Sequence, residues 1–186
     1  MTSILPFDEL NRFNEEIRQR FGDAQLTDRR EEEEDIIDEL LDLFLLAYAM
    51  GNEVTNENLS SNWMPPVDEV MQVVDAEVAD KTWRERVEDY FANGGTGADL
   101  ARIAATETHR IANQAAYETA KAAGATKKTW HCMMLPTSRD THIYLDGVTA
   151  PLDGEFYSFK GGSTQFPGQW GIAEEDVNCL CWLSFS

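Results

Sequence analysis

The stretch TGADLARIAATETHRIANQAAYETAKAAG, residues 96–124, decides the fold. Thr96 followed three positions later by Asp99 has the shape of a capping box, with Asp99 in place of the usual Glu. No proline lies between Asp99 and Gly124, and Gly124 is a natural stop, so the pattern predicts a helix over 96–123. Stepped at about 100° per residue, Leu100, Ala104, Ile111, Ala115 and Ala122 fall on one stripe. Ala101, Ala105, Ala112, Ala116 and Ala123 form a second stripe of small residues, and Arg102, Thr106, His109 and Asn113 a polar third. Small side chains let another backbone come close, so this helix is expected to be covered on two sides. Glu107 is the anomaly, because its angle places a carboxylate inside the Leu/Ile stripe. Burial requires a partner for it. Arg110, one turn on, is the local candidate, and the expected role is a polar clamp to a loop rather than catalysis.

On the N-terminal side the chain reads as helical and acidic. Leu10, Phe13, Ile17 and Phe21 give a helical stripe over Pro6–Arg20, ended by Gly22. Thr27 or Asp28 can cap a second helix that opens with Glu31 to Glu34. From Ile36 to Met50 that helix is apolar on nearly every side, with Gly51 and Asn52 expected to stop it. Residues 52–65 then read as a polar loop, and Pro66 as the first turn of a helix carrying Val67, Val70, Met71, Val74 and Val78. Trp83, Val87, Tyr90 and Phe91 continue the pattern after a break near Asp80. Asn93-Gly94-Gly95 is the clearest boundary, dividing an acidic helical domain, 1–92, from a second domain, 93–186.

Beyond Gly124 the texture changes. Lys128 to Leu135, Thr141 to Leu145, Glu155 to Phe159 and Cys179 to Phe185 read as short strands, separated by Asp146-Gly147, Asp153-Gly154 and Gly161-Gly162 turns. The expected fold is α+β: an N-terminal helical part, then a long central helix packed on a small, mostly antiparallel β-sheet. Lys128–Leu135 is expected to pair with Cys179–Phe185, since both are apolar.

The 186 residues carry a net charge of −19. Residues 1–92 hold 24 acids against 8 bases, and residues 93–186 hold 10 against 7. Such a balance argues against sequence-independent nucleic-acid binding, which needs cations facing phosphates. It suits solubility, or docking on a basic partner surface. No long apolar run suggests a membrane span, and Met1 to Pro6 do not resemble the start of a signal peptide. The three cysteines, Cys132, Cys179 and Cys181, are expected to be reduced thiols.

Several short motifs recur in a definite order. Ala101 to Thr108 reads ARIAATET; Lys128-Thr129-Trp130 is a K-x-W strand; and Thr137-Ser138-Arg139-Asp140-Thr141-His142 is a polar loop. Leu145-Asp146-Gly147 is a turn, and Ala173-Glu174-Glu175-Asp176-Val177-Asn178-Cys179-Leu180-Cys181 leads into the final strand. Together these resemble the phage Mu F-like head morphogenesis family, with its IARTET helix, K-x-W strand, T-R-D-x-H loop, L-D-G turn and N-C-R-C strand. The resemblance covers about residues 95–183. Ala105 and Leu180 stand where the family pattern has arginines. The resemblance implies a structural, non-enzymatic minor head protein of a phage or prophage. It would act in head morphogenesis near the portal vertex, with a role in DNA packaging or delivery. Portal, capsid or scaffold proteins would be its partners, and the virion, assembled in the bacterial cytoplasm, its place. In some relatives a toxin follows the domain; this sequence stops at the motif, so none is expected. The motif residues singled out are Arg102, Thr106, Glu107, Asn113, Trp130, Arg139, Asp140, His142, Asp146, Gly147, Asn178, Cys179 and Cys181.

Two chemical alternatives compete. A zinc site can be drawn from His131, Cys132, His142, Cys179 and Cys181. Against it, Cys179 and Cys181 on one strand would splay apart, and His131 and Cys132 would point to opposite faces. A Cys–His hydrolase can be drawn from Cys132 or Cys179 with His142, but neither cysteine sits at a helix start that would acidify it. The expectation is therefore no metal, no cofactor and no catalytic residue. Cys179 and Cys181 would be small core groups, and Asp140 would orient His142, or pair with Arg139 or with a polar residue of the long helix. Trp130, Trp170 and Trp182 are expected in the core.

Overall fold

Thr96 and Asp99 form the capping box that the sequence announces: Thr96 Oγ1 accepts from the Asp99 amide, and Asp99 Oδ2 accepts from the Thr96 amide at 3.0 Å. In the computed structural model, which describes residues 31–186 and, before them, residues 12, 15, 16 and 19, the helix so opened runs from Gly97 to Ala122. The stripe over Pro6–Arg20 and the cap at Thr27 or Asp28 lie, apart from those four positions, outside the described residues.

The elements in chain order are α1 (Glu31–Leu59), α2 (Val67–Val74), α3 (Trp83–Asn93), α4 (Gly97–Ala122), β1 (Lys127–His131), α5 (Asp140–Leu145), β2 (Thr149–Pro151), β3 (Phe156–Tyr157), β4 (Ser163–Thr164), α6 (Ala173–Asp176) and β5 (Trp182–Phe185). The α+β fold with a long helix and a small antiparallel sheet is as expected. β1 lies between β2 and β5, antiparallel to both, and β3 with β4 makes a separate hairpin. The pairing of the strand after Gly124 with the last strand is present, Trp130 standing opposite Leu183. Among the described residues no helix is long and apolar enough to cross a membrane.

Helix α4 serves two cores. On one side Leu100, Ala104, Ile111 and Ala115 join Leu40, Phe44 and Tyr48 of α1 and Trp83 and Val87 of α3. On the other, Tyr117 joins Trp130, Leu145, Phe156, Phe166, Trp170 and Leu183. Trp182, expected in the core, is only half-buried and stacks on His131 at 5.3 Å.

Three expectations need correction. Gly51 and Asn52 do not stop α1, which continues to Leu59. Gly51 is buried because α1 and α4 meet there: a Cβ on it would stand 2.3 Å from the Ala112 carbonyl oxygen. Asn52 donates to Thr119 Oγ1 at 2.8 Å, so it bridges the two helices instead of breaking one. The supposed loop from residue 52 is therefore helical for its first eight residues.

Second, Thr141–Leu145 is part of a helix rather than a strand. Its buried residues are Thr141, His142 and Leu145, a helical spacing, and the His142 and Ile143 amides donate to the Arg139 carbonyl. Third, β1 and β5 are shorter than read. β1 ends at His131 because the Cys132 amide donates to the Asp146 carboxylate, and β5 begins only at Trp182.

The Gly51 contact makes a sharp prediction. Alanine would raise helix propensity by about 1 kcal/mol. Forcing a methyl against a backbone carbonyl costs about 1–3 kcal/mol in overpacked sites, and here no flexible side chain can yield. Gly51→Ala should therefore lower the urea midpoint, and Gly51→Val should lower it further. A midpoint unchanged or raised in Gly51→Ala would refute the close helix contact.

Candidate functional site

The Glu107 carboxylate, 3% exposed, sits between two guanidinium groups. Arg110 Nε donates to it at 2.6 Å and Arg86 Nη1 at 2.9 Å. Arg110 is itself 1% exposed, and it donates onward to the carbonyls of Val73 (2.9 Å) and Val74 (3.0 Å). Those carbonyls end α2, where a helix leaves acceptors without internal partners. Arg86 also donates to the Val78 carbonyl in the turn after α2. The group ties α4 to the end of α2, the next turn and the middle of α3.

The polar face of α4 looks toward the C-terminal segment. Asn113 donates to the Cys181 carbonyl at 3.1 Å, and Thr106 Oγ1 accepts from the Asn178 amide at 3.3 Å. Asn178 adopts a left-handed backbone, φ 56°, which turns the chain toward α4 before β5 begins. Arg102 alone stays outside, paired with Asp99 in the first turn. Asp146 receives the Cys132 amide at 2.8 Å, and Gly147, φ 76°, donates to the Trp130 carbonyl at 2.8 Å. Arg139 donates to the Val177 carbonyl.

His142 is where these segments converge. Its ring is 2% exposed, stacked on Trp170 at 6.0 Å and edge-on to Trp130 at 5.7 Å. Nδ1 lies 3.4 Å from Cys181 Sγ and 3.6 Å from Cys179 Sγ. Nε2 lies 3.1 Å from Glu175 Oε2. Cys132, also buried, lines the small cleft beside His142 and Cys181. Glu175, 1% exposed, is fixed by Thr141 Oγ1 and Ser158 Oγ, each donating at 2.9 Å.

Asp140, expected to orient His142 or to pair with Arg139, is exposed in the first turn of α5; Glu175 takes that place at the ring. Glu175 went unread because nothing distinguishes it within Ala173-Glu174-Glu175-Asp176. The objection that Cys179 and Cys181 must splay apart also fails, because both precede β5 in irregular backbone and their thiols meet at one imidazole nitrogen. His131, by contrast, is occupied with Ser184 Oγ at 2.8 Å and does not join the group.

The thiols share their protons unevenly. Hydrogen bonding to Cys181, against the effect of burial, draws Cys132 down to about 6. The same partner, together with His142, lowers Cys179, while Cys132 and Cys179 raise Cys181. Burial works against charging His142, but its hydrogen bond with Cys179 leaves it raised. The cleft beside the group has a volume of about 30 Å³ and is lined by Cys132, Arg139, His142, Leu180 and Cys181, among others. That is room for a water or an ion, not for an organic substrate.

The residues that carry this arrangement match the family described as Phage Mu protein F like protein, over residues 66–184. The chain belongs to that family. The match begins well before the motif region and takes in α2 and α3, which supply the Val73 and Val74 carbonyls and Arg86 to the Glu107 group. Minor head protein GP7 of Bacillus phage SPP1 is 36% identical over 91 residues, 46% of this chain and 29% of that protein. An NAD(+)–arginine ADP-ribosyltransferase EFV of Enterococcus faecalis (strain ATCC 700802 / V583) is 40% identical over 83 residues, 44% of this chain and 17% of that protein. The chain thus spans less than a third of the length of either relative. No solved structure matches it.

Removing one member of a buried ion group strands the others. Glu107→Ala leaves the Arg110 charge buried without its carboxylate, and should cost about 3–5 kcal/mol of unfolding free energy. Arg102→Ala, on the same helix but exposed, should stay within about 0.5 kcal/mol of the parent. Chemical denaturation of both variants checks the contrast, and comparable losses in the two would contradict the assignment.

Proposed function

We propose that this chain is a non-enzymatic minor component of a phage or prophage head, acting in head morphogenesis near the portal vertex. The observation that carries this reading is membership of the Mu F-like family over residues 66–184. The likeness to a protein named minor head protein supports it. Its partners in this reading are portal, capsid or scaffold proteins, and its place is the virion. Packaging or delivery of DNA is the process it serves, through contacts with those proteins rather than with phosphates, given the acidic balance of the chain.

The helical part offers a docking surface in keeping with this role. Glu34, Asp35, Asp38, Asp42, Glu53 and Glu57 are all exposed on α1, a field suited to a basic partner face. Transfer of ADP-ribose is not extended to this chain, because the shared segment is 17% of the transferase. The thiol–imidazole group is also closed to substrates of that size. A free-standing zinc-binding module is likewise set aside as the function, since the family match gives a better account of the chain.

Mass spectrometry of purified proheads and virions from the phage that encodes this chain tests the reading. The chain should be present in at least one of the two particles at low copy relative to the major capsid protein. Absence from both would overturn the proposal.

A further inference from the structure

We propose that Cys132, His142, Cys179 and Cys181 form a structural zinc site that fastens the closing strand of the C-terminal sheet, with Glu175 as the carboxylate behind the histidine ligand. The site goes beyond the head-protein role and does not rest on it.

The geometry is that of a tetrahedral centre. Zinc–sulfur bonds of about 2.3 Å and a zinc–nitrogen bond of about 2.0–2.1 Å set neighbouring ligand atoms about 3.5–3.8 Å apart. The Nδ1 atom of His142 lies 3.4 Å from one thiol and 3.6 Å from the other, and the three ligand atoms of His142, Cys179 and Cys181 all fall within 4.8 Å of one another. Cys132 lines the same small cleft as His142 and Cys181 and is the candidate fourth ligand. Three thiols and one imidazole are a donor set that zinc prefers.

The surroundings point the same way. A histidine that binds a metal through one nitrogen commonly presents the other to a carboxylate, which fixes its tautomer. Glu175 stands 3.1 Å from Nε2 and is itself held by two hydroxyl donors, so the ring nitrogen away from the thiols has a carboxylate beside it. Three thiolates and a dication leave one negative charge, and Arg139 lines the same small cleft. That cleft, about 30 Å³, adjoins the ligands without admitting anything larger than a water or an ion.

The ligands come from three places: the exit of β1, helix α5 and the segment entering β5. The sheet they surround has strands of only five, three and four residues. Strands so short hold together poorly without added links, and a metal that binds only the folded arrangement contributes its binding energy to folding.

The test starts with the full chain purified without chelator. Metal analysis should give about one zinc per chain. Removing the metal and adding cobalt(II) should produce the visible absorption of a tetrahedral cobalt–thiolate centre. Glu175→Gln keeps every ligand and should weaken zinc binding about 10–100-fold in competition with a chromophoric chelator. Cys132→Ser should lose the tetrahedral cobalt spectrum. If that variant fails to fold, protection decides instead: added zinc should slow alkylation of all three thiols in the parent chain. Absence of stoichiometric metal, with alkylation rates unaffected by zinc, would overturn the site. An unchanged cobalt spectrum in folded Cys132→Ser would overturn the four-ligand assignment.

Discussion

An arginine cannot shed its charge at any pH a protein meets, so burying one obliges the structure to answer it. Arg110 is buried at the middle of α4, and its answer organises the first core. Glu107 supplies the opposite charge, Arg86 shares that carboxylate, and the carbonyls ending α2 and Gln114 Oε1 accept from the Nη atoms. The same residue reaches into the second core. Gly168, φ 88°, passes so close that a Cβ there would stand 3.1 Å from the Arg110 Cα and Cβ. The missing side chain of Gly168 thus lets the loop that carries Trp170, on which His142 stacks, come close to α4 at Arg110. The pair is weak evidence of net stabilisation, because both ions had to be taken out of water. Its value is specificity: few arrangements of α2, α3 and α4 satisfy all of these groups together.

The second core has a different centre. Trp130 and Trp170 flank the His142 ring, with Phe156 packed behind on Trp130, while the polar atoms of that ring face Glu175 on one side and the thiols on the other. Asn113 and Thr106 of α4 hold the backbone of the segment that brings the cysteines in. The polar stripe of α4 is therefore buried for a reason, as it anchors irregular chain that has no ladder of its own. The motif residues singled out in the sequence lie along this path, from α4 through the Arg139 loop to Asn178.

Local rules made much of this legible. Thr96 and Asp99 announced the start of α4, and its Leu/Ile stripe the first core, whereas the second core meets α4 through Tyr117, which lies on neither apolar stripe. The pairing of β1 with β5 followed from their apolar texture. Residues with two uses misled. Gly51 reads as a helix stop, yet its missing side chain serves a contact with α4 that lies about sixty residues away in sequence. Thr141 to Leu145 are β-branched and aromatic enough to read as a strand, yet bury themselves with helical spacing. The separate members His142, Cys179 and Cys181 were visible as motif residues. Their convergence was not, since it depends on a turn at Asn178 and on an acid, Glu175, that local sequence does not mark.

The β1–β5 ladder joins residues far apart in the chain; His131 meets Ser184 across 53 positions. Closing a flexible loop of that length costs about 2 kcal/mol more than closing a four-residue hairpin, since the entropy grows as the logarithm of length. Four register pairs, one of them at the very rim, are a thin return for that ordering. The last strand consequently has little reason to settle until α4, the Arg139 loop and the thiol–imidazole group are already in place around it. Its docking marks the completion of the domain, and any partner that touches β5 reads a surface that exists only once the rest of the chain has closed.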